Sequence, residues 1–357
     1  MSSVGKINAI QGLRGIAALL VVADHSLLRF SEWTNTRALK SDHLLYVAEL
    51  LGRHGVEIFF LISGFIMTVT SYEEFNRHNA ASKFLWRRII RIVPLYWLIT
   101  ALVIGQLVWQ GHAPNPMSVA KSLAFIPYEN EAGSLQPLLR RGWTLNYEMF
   151  FYALFGAALF LKPRPGLGAV ICVLVLLAFA GRIWMTGDCS AESCELAGFY
   201  AQPIILYFAG GIILGAIRVY LQRRNKLFAV TADNGLGMAI ALTGIYVAYA
   251  SLAAPSSLTY IAGILFCVSA TAFCALLEDN SRLGRVRFMF LLVGEASYSI
   301  YMTHSLFIDP VGRLWTNAFG GKWMGVYLAA MIVGTSLLGM LVYRCVEKPM
   351  LRALKRR

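Results

Sequence analysis

Charged side chains are scarce in this chain of 357 residues, at 14% against 57% hydrophobic ones. Soluble domains carry roughly 25% charged residues, so a water-exposed globular fold is excluded for most of the length. No long polar block is left for an appended soluble domain. A signal-peptide pattern is absent too. The start, MSSVGKINAIQ, has one lysine and no clean apolar core, and Arg14 interrupts the first apolar run, so no cleavage is expected. Metal-ligand spacing is also missing. Of six cysteines, Cys172, Cys267, Cys274 and Cys345 lie in or beside apolar runs and read as small apolar filler. Cys189 and Cys194 share one polar loop, GDCSAESCE, where a disulfide forms only on an oxidising side. There is no low-complexity tract, and no internal repeat of the kind that marks many transporters.

What the sequence has in quantity is apolar run. A bilayer-spanning helix needs about 20 predominantly apolar residues, and ten such segments can be marked, near 9–29, 55–71, 91–110, 143–161, 166–183, 200–219, 235–252, 258–277, 288–307 and 323–343. The fold class predicted is an all-α polytopic membrane protein of one domain, 1–357. The net charge of +13 sits in short loops between these runs, as topology signals and anionic-lipid contacts rather than a nucleic-acid footprint. The N-terminus, alternate loops and C-terminus hold about twice as many Lys and Arg as the opposite set. Both termini are therefore expected in the cytoplasm.

Several polar residues interrupt the runs. LRGIAALLVVADHS (13–26) carries Arg14 and His25, about 16 Å apart along a helix and on one face of it. Asp24 is expected to be a poor partner for His25, because helical neighbours point about 100° apart. FLWRRIIRIVPLYW (84–97) carries Arg88 and Arg91 where the third span begins, and guanidinium forks suit phosphate groups. GWTLNYEMFFY (142–152) places Glu148 within a span, and GEASYSIYMTHSLF (294–307) places Tyr301 one turn from His304.

Each has a plainer reading. Arg14 reads also as a snorkelling anchor, His25 as a packing histidine, Arg88 and Arg91 as positive-inside anchors. Glu148 reads also as an inert interhelical hydrogen bond, and Tyr301 with His304 as an interfacial belt. Together the arginines fall on the inner side, while His25, His54, Glu57, Glu148 and His304 fall towards the outer side. That layout suits a phosphorylated donor entering from the cytoplasm and proton transfer on an acceptor beyond the midplane.

These segments resemble the acyltransferase 3 family of integral membrane acyltransferases. LRGIAALLVVADHS is similar to its Arg-x10-His first span, and VEIFFLISGFIM (56–67) to its FF-x-x-SGF second span. RIIR (88–91) is similar to its Arg-x-x-Arg element, WTLNYEMFFY (143–152) to its W-[ST]-L-x-x-E-x-x-F-Y segment, and SYSIYMTH (297–304) to its SYS-x-Y-x-x-H span. The likeness covers nearly the whole chain, strongest from 7 to 152 and looser from 165 to 290. RRIIRIVPLYW looks most like the exopolysaccharide acetyltransferase branch.

The resemblance implies ten spans in the bacterial inner membrane, acetyl-CoA or another acyl-CoA as cytoplasmic donor, and O-acylation of a cell-surface carbohydrate, without metal. It implies His25 as base or transient acyl carrier, with Glu148 as its supporting carboxylate. Arg14, Arg88 and Arg91 would hold the CoA end. Apart from the resemblance, His54, Glu57, Trp143, Tyr301 and His304 are the candidate acceptor contacts. Expected partners are the bilayer, the carbohydrate acceptor and polysaccharide biosynthesis machinery. The rival reading is a glycan or lipid-linked sugar transporter, since buried His and Glu also build proton relays.

The charge count places the Cys189–Cys194 loop outside. A membrane-impermeant maleimide should therefore label the reduced pair in intact spheroplasts. Labelling only after permeabilisation would invert the topology.

Overall fold

A computed structural model describes residues 7–34, 42–130, 133–184, 198–224, 232–276 and 285–355. The loop holding Cys189 and Cys194 lies outside them. Among the described residues the structure is helical, with a single isolated β-bridge between Glu129 and Leu135. In chain order the helices are α1 (Asn8–Thr34), α2 (Asp42–Ser71), α3 (Ala80–Trp109), α4 (Pro116–Leu123), α5 (Trp143–Ala158), α6 (Pro163–Trp184) and α7 (Leu206–Arg223). They continue as α8 (Ala232–Leu252), α9 (Ser257–Leu276), α10 (Arg285–Glu295), α11 (Ser297–Phe319), α12 (Met324–Val342) and, after a π turn at Tyr343–Glu347, α13 (Lys348–Lys355). Seven helical stretches among the described residues are long and apolar enough to cross a membrane: His43–Glu74, Ala80–Trp109, Pro163–Ile183, Pro203–Arg223, Gly235–Leu252, Ser257–Leu276 and Met324–Lys355. The protein is an all-α polytopic membrane protein. The first, fourth and ninth predicted spans are helices as well, but α1, α5, α10 and α11 are not among those seven.

The chain falls into two compact units, Met1–Ile62 with Ile217–Lys348, and Ser63–Ala216 with Pro349–Arg357. In the first, α1 packs against glycines. A Cβ on Gly294 of α10 would stand 1.9 Å from the Gln11 carbonyl oxygen, and one on Gly15 would stand 2.8 Å from that of Phe290. On another side, a Cβ on Gly55 of α2 would lie 2.7 Å from the Ala17 carbonyl oxygen. Lipid tails are as apolar as leucine, so helices in a membrane gain most from close van der Waals approach, which small residues allow. Further along α1 the contact is made by side chains. Ala18, Val22 and Phe30 share a buried core with Val293, Ala296, Ile300, Ile308, Tyr327 and Met331. The Tyr327 hydroxyl donates to the Ser26 carbonyl at 3.2 Å.

In the second unit α3 and α5 run antiparallel. Phe84 meets Phe155 at 5.3 Å between ring centroids, and a Cβ on Gly142 would come within 2.9 Å of the Tyr96 ring. Phe151 of α5 stacks on Phe208 of α7 at 4.3 Å. A Cβ on Gly64 of α2 would sit 2.2 Å from the Phe208 carbonyl oxygen.

Three predicted boundaries need correction. α2 starts at Asp42, not 55, and α3 at Ala80, not 91. The added part of α2 is apolar but interrupted by Glu49, Arg53 and His54, and α3 opens on AASK, so each helix outlasts its unbroken apolar run. Arg88 thus sits about 12 Å inside α3, not at its entrance. The ninth span is two helices broken at Ala296, and the second extends to Phe319.

Gly294→Ala forces a methyl group onto backbone that cannot swing away. It is expected to destabilise by about 1–3 kcal/mol. Gly105→Ala, where a Cβ meets nothing within 4 Å, is expected not to destabilise. Thermal unfolding in detergent compares the two.

Candidate active site

The His25 ring folds back over the turn before it, the direction helical side chains favour. Its Nδ1 donates to the Val21 carbonyl at 2.9 Å. With that N–H committed to backbone, Nε2 carries the lone pair of the neutral ring. Asp24 Oδ2 stands 3.2 Å from the same Nδ1, which corrects the expectation that the two point apart. Their Cα–Cβ bonds do diverge, but the ring rotates towards the turn below and brings Nδ1 past the carboxylate.

His304 of α11 faces His25 edge to face, with centroids 5.0 Å apart and planes at 72°. It is completely buried, and its own Nδ1 donates to the Tyr301 carbonyl at 2.8 Å. An interfacial belt is therefore not what these residues form. Tyr301 is buried as well, against Phe59 of α2 at 5.9 Å. One turn beyond His25, Arg29 Nε reaches Asp309 Oδ1 of α11 at 3.1 Å. α1 and α11 thus run parallel, with the two histidines at one level. Arg14 lies half-buried on α1, eleven residues before His25.

His54 and Glu57 form a different cluster in the same unit. His54 Nδ1 donates to Glu57 Oε2 at 2.6 Å, and its Nε2 accepts from the Tyr246 hydroxyl at 2.8 Å. The Cys267 thiol donates to the same Glu57 oxygen at 3.6 Å. One ligand atom from each of His54, Glu57 and Cys267 lies within 4.8 Å of the others, and here these groups bond to one another. His54 is 0% and Glu57 2% exposed. A Cβ on Gly263 would come within 2.3 Å of His54 Nε2, so the ring is seated tightly against α9.

In the other unit Glu148 accepts from Ser63 Oγ at 3.0 Å and from the Tyr152 hydroxyl. Arg88 lies within electrostatic reach of Glu148 and Tyr152. Its guanidinium carbon is 5.4 Å from the Phe84 ring centroid and 5.9 Å from that of Tyr152. The expected segregation, with arginines at one depth and Glu148 at another, does not hold here. It counted depth from span edges, and α3 begins eleven residues early. Arg88 Nε is buried with no hydrogen-bond partner among the described residues. Arg91, one turn on, is half-buried. Trp143 packs edge-on against Tyr147 at 5.8 Å.

Sequence reasoning set Asp24 aside as a poor partner and did not single out Ser63, Tyr152 or Asn146. Tyr152 was legible, being four residues after Glu148 and on the same helical face. Asn146 is 1% exposed, and neither its amide oxygen nor its nitrogen has a partner among the described residues. Its only sequence signal was polarity inside an apolar run.

The family model for an acyltransferase domain matches residues 7–344. The chain is 33% identical to the exopolysaccharide production protein ExoZ of Rhizobium meliloti (strain 1021), over 87% of this chain and 94% of that protein. It is 28% identical to the putative membrane-bound transacylase BcsY of Komagataeibacter xylinus, over 94% and 81%. Identity to the putative peptidoglycan O-acetyltransferase YrhL of Bacillus subtilis (strain 168) is 26%, over 96% of this chain and 54% of that protein. No solved structure matches.

Removing His54 takes away the shortest hydrogen bond to the buried Glu57 carboxylate, leaving it the Cys267 thiol and Arg53 Nε at 3.9 Å. His54→Ala is expected to destabilise by about 3–5 kcal/mol. His54→Gln, still able to donate to Glu57, should be much milder, and thermal unfolding measures both.

Proposed function

Because the chain belongs to the acyltransferase 3 family, we propose that it is a membrane-embedded O-acyltransferase moving an acetyl group from acetyl-CoA to a hydroxyl of an exported or cell-surface carbohydrate. The proposed seat is the bacterial inner membrane, with CoA on the cytoplasmic side. The names of the relatives support the acceptor class, since they concern exopolysaccharide production and peptidoglycan O-acetyl transfer. The observation that carries the reading is His25, whose Nδ1–H is pinned to the Val21 carbonyl. That bond sets the tautomer in which Nε2 is a base.

In the step proposed, Nε2 takes the proton of the acceptor hydroxyl as its oxygen attacks the thioester carbon. The tetrahedral intermediate collapses, the carbon–sulfur bond breaks, and the thiolate leaves with the proton returned from His25. In a variant Nε2 attacks the thioester carbon and CoA thiolate leaves, and the acceptor hydroxyl then attacks the acyl carbon, giving its proton to the thiolate as the carbon–Nε2 bond breaks. Arg88 fits a donor-binding role because its buried Nε lacks a partner among the described residues, and a phosphate oxygen would supply one. Arg14 and Arg91 are assigned to the same anionic end. Glu148, held by Ser63 and Tyr152, lies within electrostatic reach of Arg88 and is assigned to orient that guanidinium. His304 walls the His25 ring and Tyr301 lies against His304, and Trp143 is a candidate acceptor contact. The bonds His54 and Glu57 make to each other and to Tyr246 support a scaffold role for them.

Surface glycans from cells with and without the gene, compared by mass spectrometry, test the reaction. Loss of the mass increment of one acetyl group is expected, and unchanged glycans would favour transport. In detergent, His25→Ala should bind CoA almost normally and transfer no acetyl. Arg88→Ala should weaken CoA binding about ten- to a hundredfold, the worth of one charge-assisted contact. Calorimetry with CoA and turnover of labelled acetyl-CoA separate the two roles.

A further inference from the structure

Asp24 has no structural use that its contacts explain. It is 7% exposed on α1, and its Oδ1 is buried with no hydrogen-bond partner among the described residues. Its Oδ2 lies 3.2 Å from His25 Nδ1. On the far side Gly52 of α2 closes over it, where a Cβ would stand 2.1 Å from Oδ2. Even alanine at position 52 would push the carboxylate aside. An ionisable group within a membrane helix is costly and is a functional-site candidate by default.

The Nδ1–H of His25 already has the Val21 carbonyl as acceptor. Asp24 is therefore not needed to fix the tautomer. What it adds is a carboxylate packed against Gly52, with Oδ2 beside the ring at Nδ1. Glu148, by contrast, already accepts two hydrogen bonds from Ser63 and Tyr152.

We propose that Asp24 is the positioning counter-charge of His25. When Nε2 takes the acceptor's proton, positive charge spreads over the ring, and Asp24 neutralises it from the Nδ1 side. Asp24 itself takes no proton. The proton stays on Nε2 until the departing thiolate sulfur receives it. This rests on the reading of His25 as the base. It assigns to an adjacent residue the support that sequence reasoning looked for in Glu148. A counter-charge held rigidly before the reaction needs no rearrangement as the charge develops, which is where such groups act most strongly.

The test uses the purified full chain in detergent, with labelled acetyl-CoA as donor and surface glycan from gene-deleted cells as acceptor. Asp24→Asn and Asp24→Ala should each lower kcat by roughly a hundredfold, with KM for acetyl-CoA within about threefold of wild type. Asp24→Ala also removes a buried carboxylate oxygen that no donor satisfies. Its melting temperature should therefore equal or exceed that of wild type. A residue that merely holds the fold would not give lower turnover together with undiminished stability.

Wild-type kcat in Asp24→Ala overturns the proposal, even if Asp24→Asn is slow. So does a loss confined to KM, or a loss that comes with a lower melting temperature. His25→Ala is measured alongside. Should it keep turning over, the reading of His25 as base falls, whatever the Asp24 variants do.

Discussion

α1 is held where backbone meets backbone. Gly15 lies against the Phe290 carbonyl, Gly294 against that of Gln11, and Gly55 against that of Ala17, at separations that leave no room for a methyl group. In water a helix this polar would turn its charged face outward. In a bilayer that face needs protein around it, and close approach at glycines provides the enclosure. Once α1 is enclosed, Arg14, Asp24 and His25 can share one helix inside the protein. Arg29 then meets Asp309, and His25 meets His304. Remove the close approach and these residues face lipid, where charged groups are hardest to keep.

A division of labour follows. The seven stretches apolar enough to cross a membrane include neither α1 nor α5 nor α11. Those three hold Arg14, Asp24, His25, Trp143, Glu148, Tyr301 and His304. In α1 and α11 the polar groups lower the apolarity of the helix, whereas α5, with 16 residues, is short for a span. α2 and α3 are the exceptions, each able to carry a polar cluster (His54 with Glu57, Arg88 with Arg91) because the rest of its 30 residues is strongly apolar. Low hydropathy in a polytopic chain can thus point to the site.

Much of this was legible in the sequence. The helical class and the apolar runs behind α6, α8, α9 and α12 fall close to the expected limits, because there helix and apolar run coincide. The early starts of α2 and α3 were hidden, since hydropathy reports burial in lipid and is silent about helix beyond it. The break at Ala296 was hidden for another reason, as neither glycine nor proline occupies that position. At the site, counting residues per turn put Arg14 and His25 on one face, a property of the backbone alone. Asp24 escaped the same arithmetic because its distance from His25 is set by side-chain torsions. Glu148 was expected at the level of His25, but the early start of α3 sets Arg88 within reach of it. Depth counted from an uncertain helix end carries the whole error of that end.

The meeting of α1 with α10 and α11 has a consequence for how this chain can change. From Gly15 to His25 is ten residues, and from Gly294 to His304 is also ten. α1 climbs about 15 Å over such an interval, and α10 with α11, across the turn at Ala296, brings His304 to the level of His25. The interval works as a ruler duplicated in two distant parts of the sequence. An insertion or deletion in one copy would slide one histidine past the other and turn it about 100° around its axis. Length changes within either interval are therefore tolerable only in matched pairs, whereas the loops outside are free to drift.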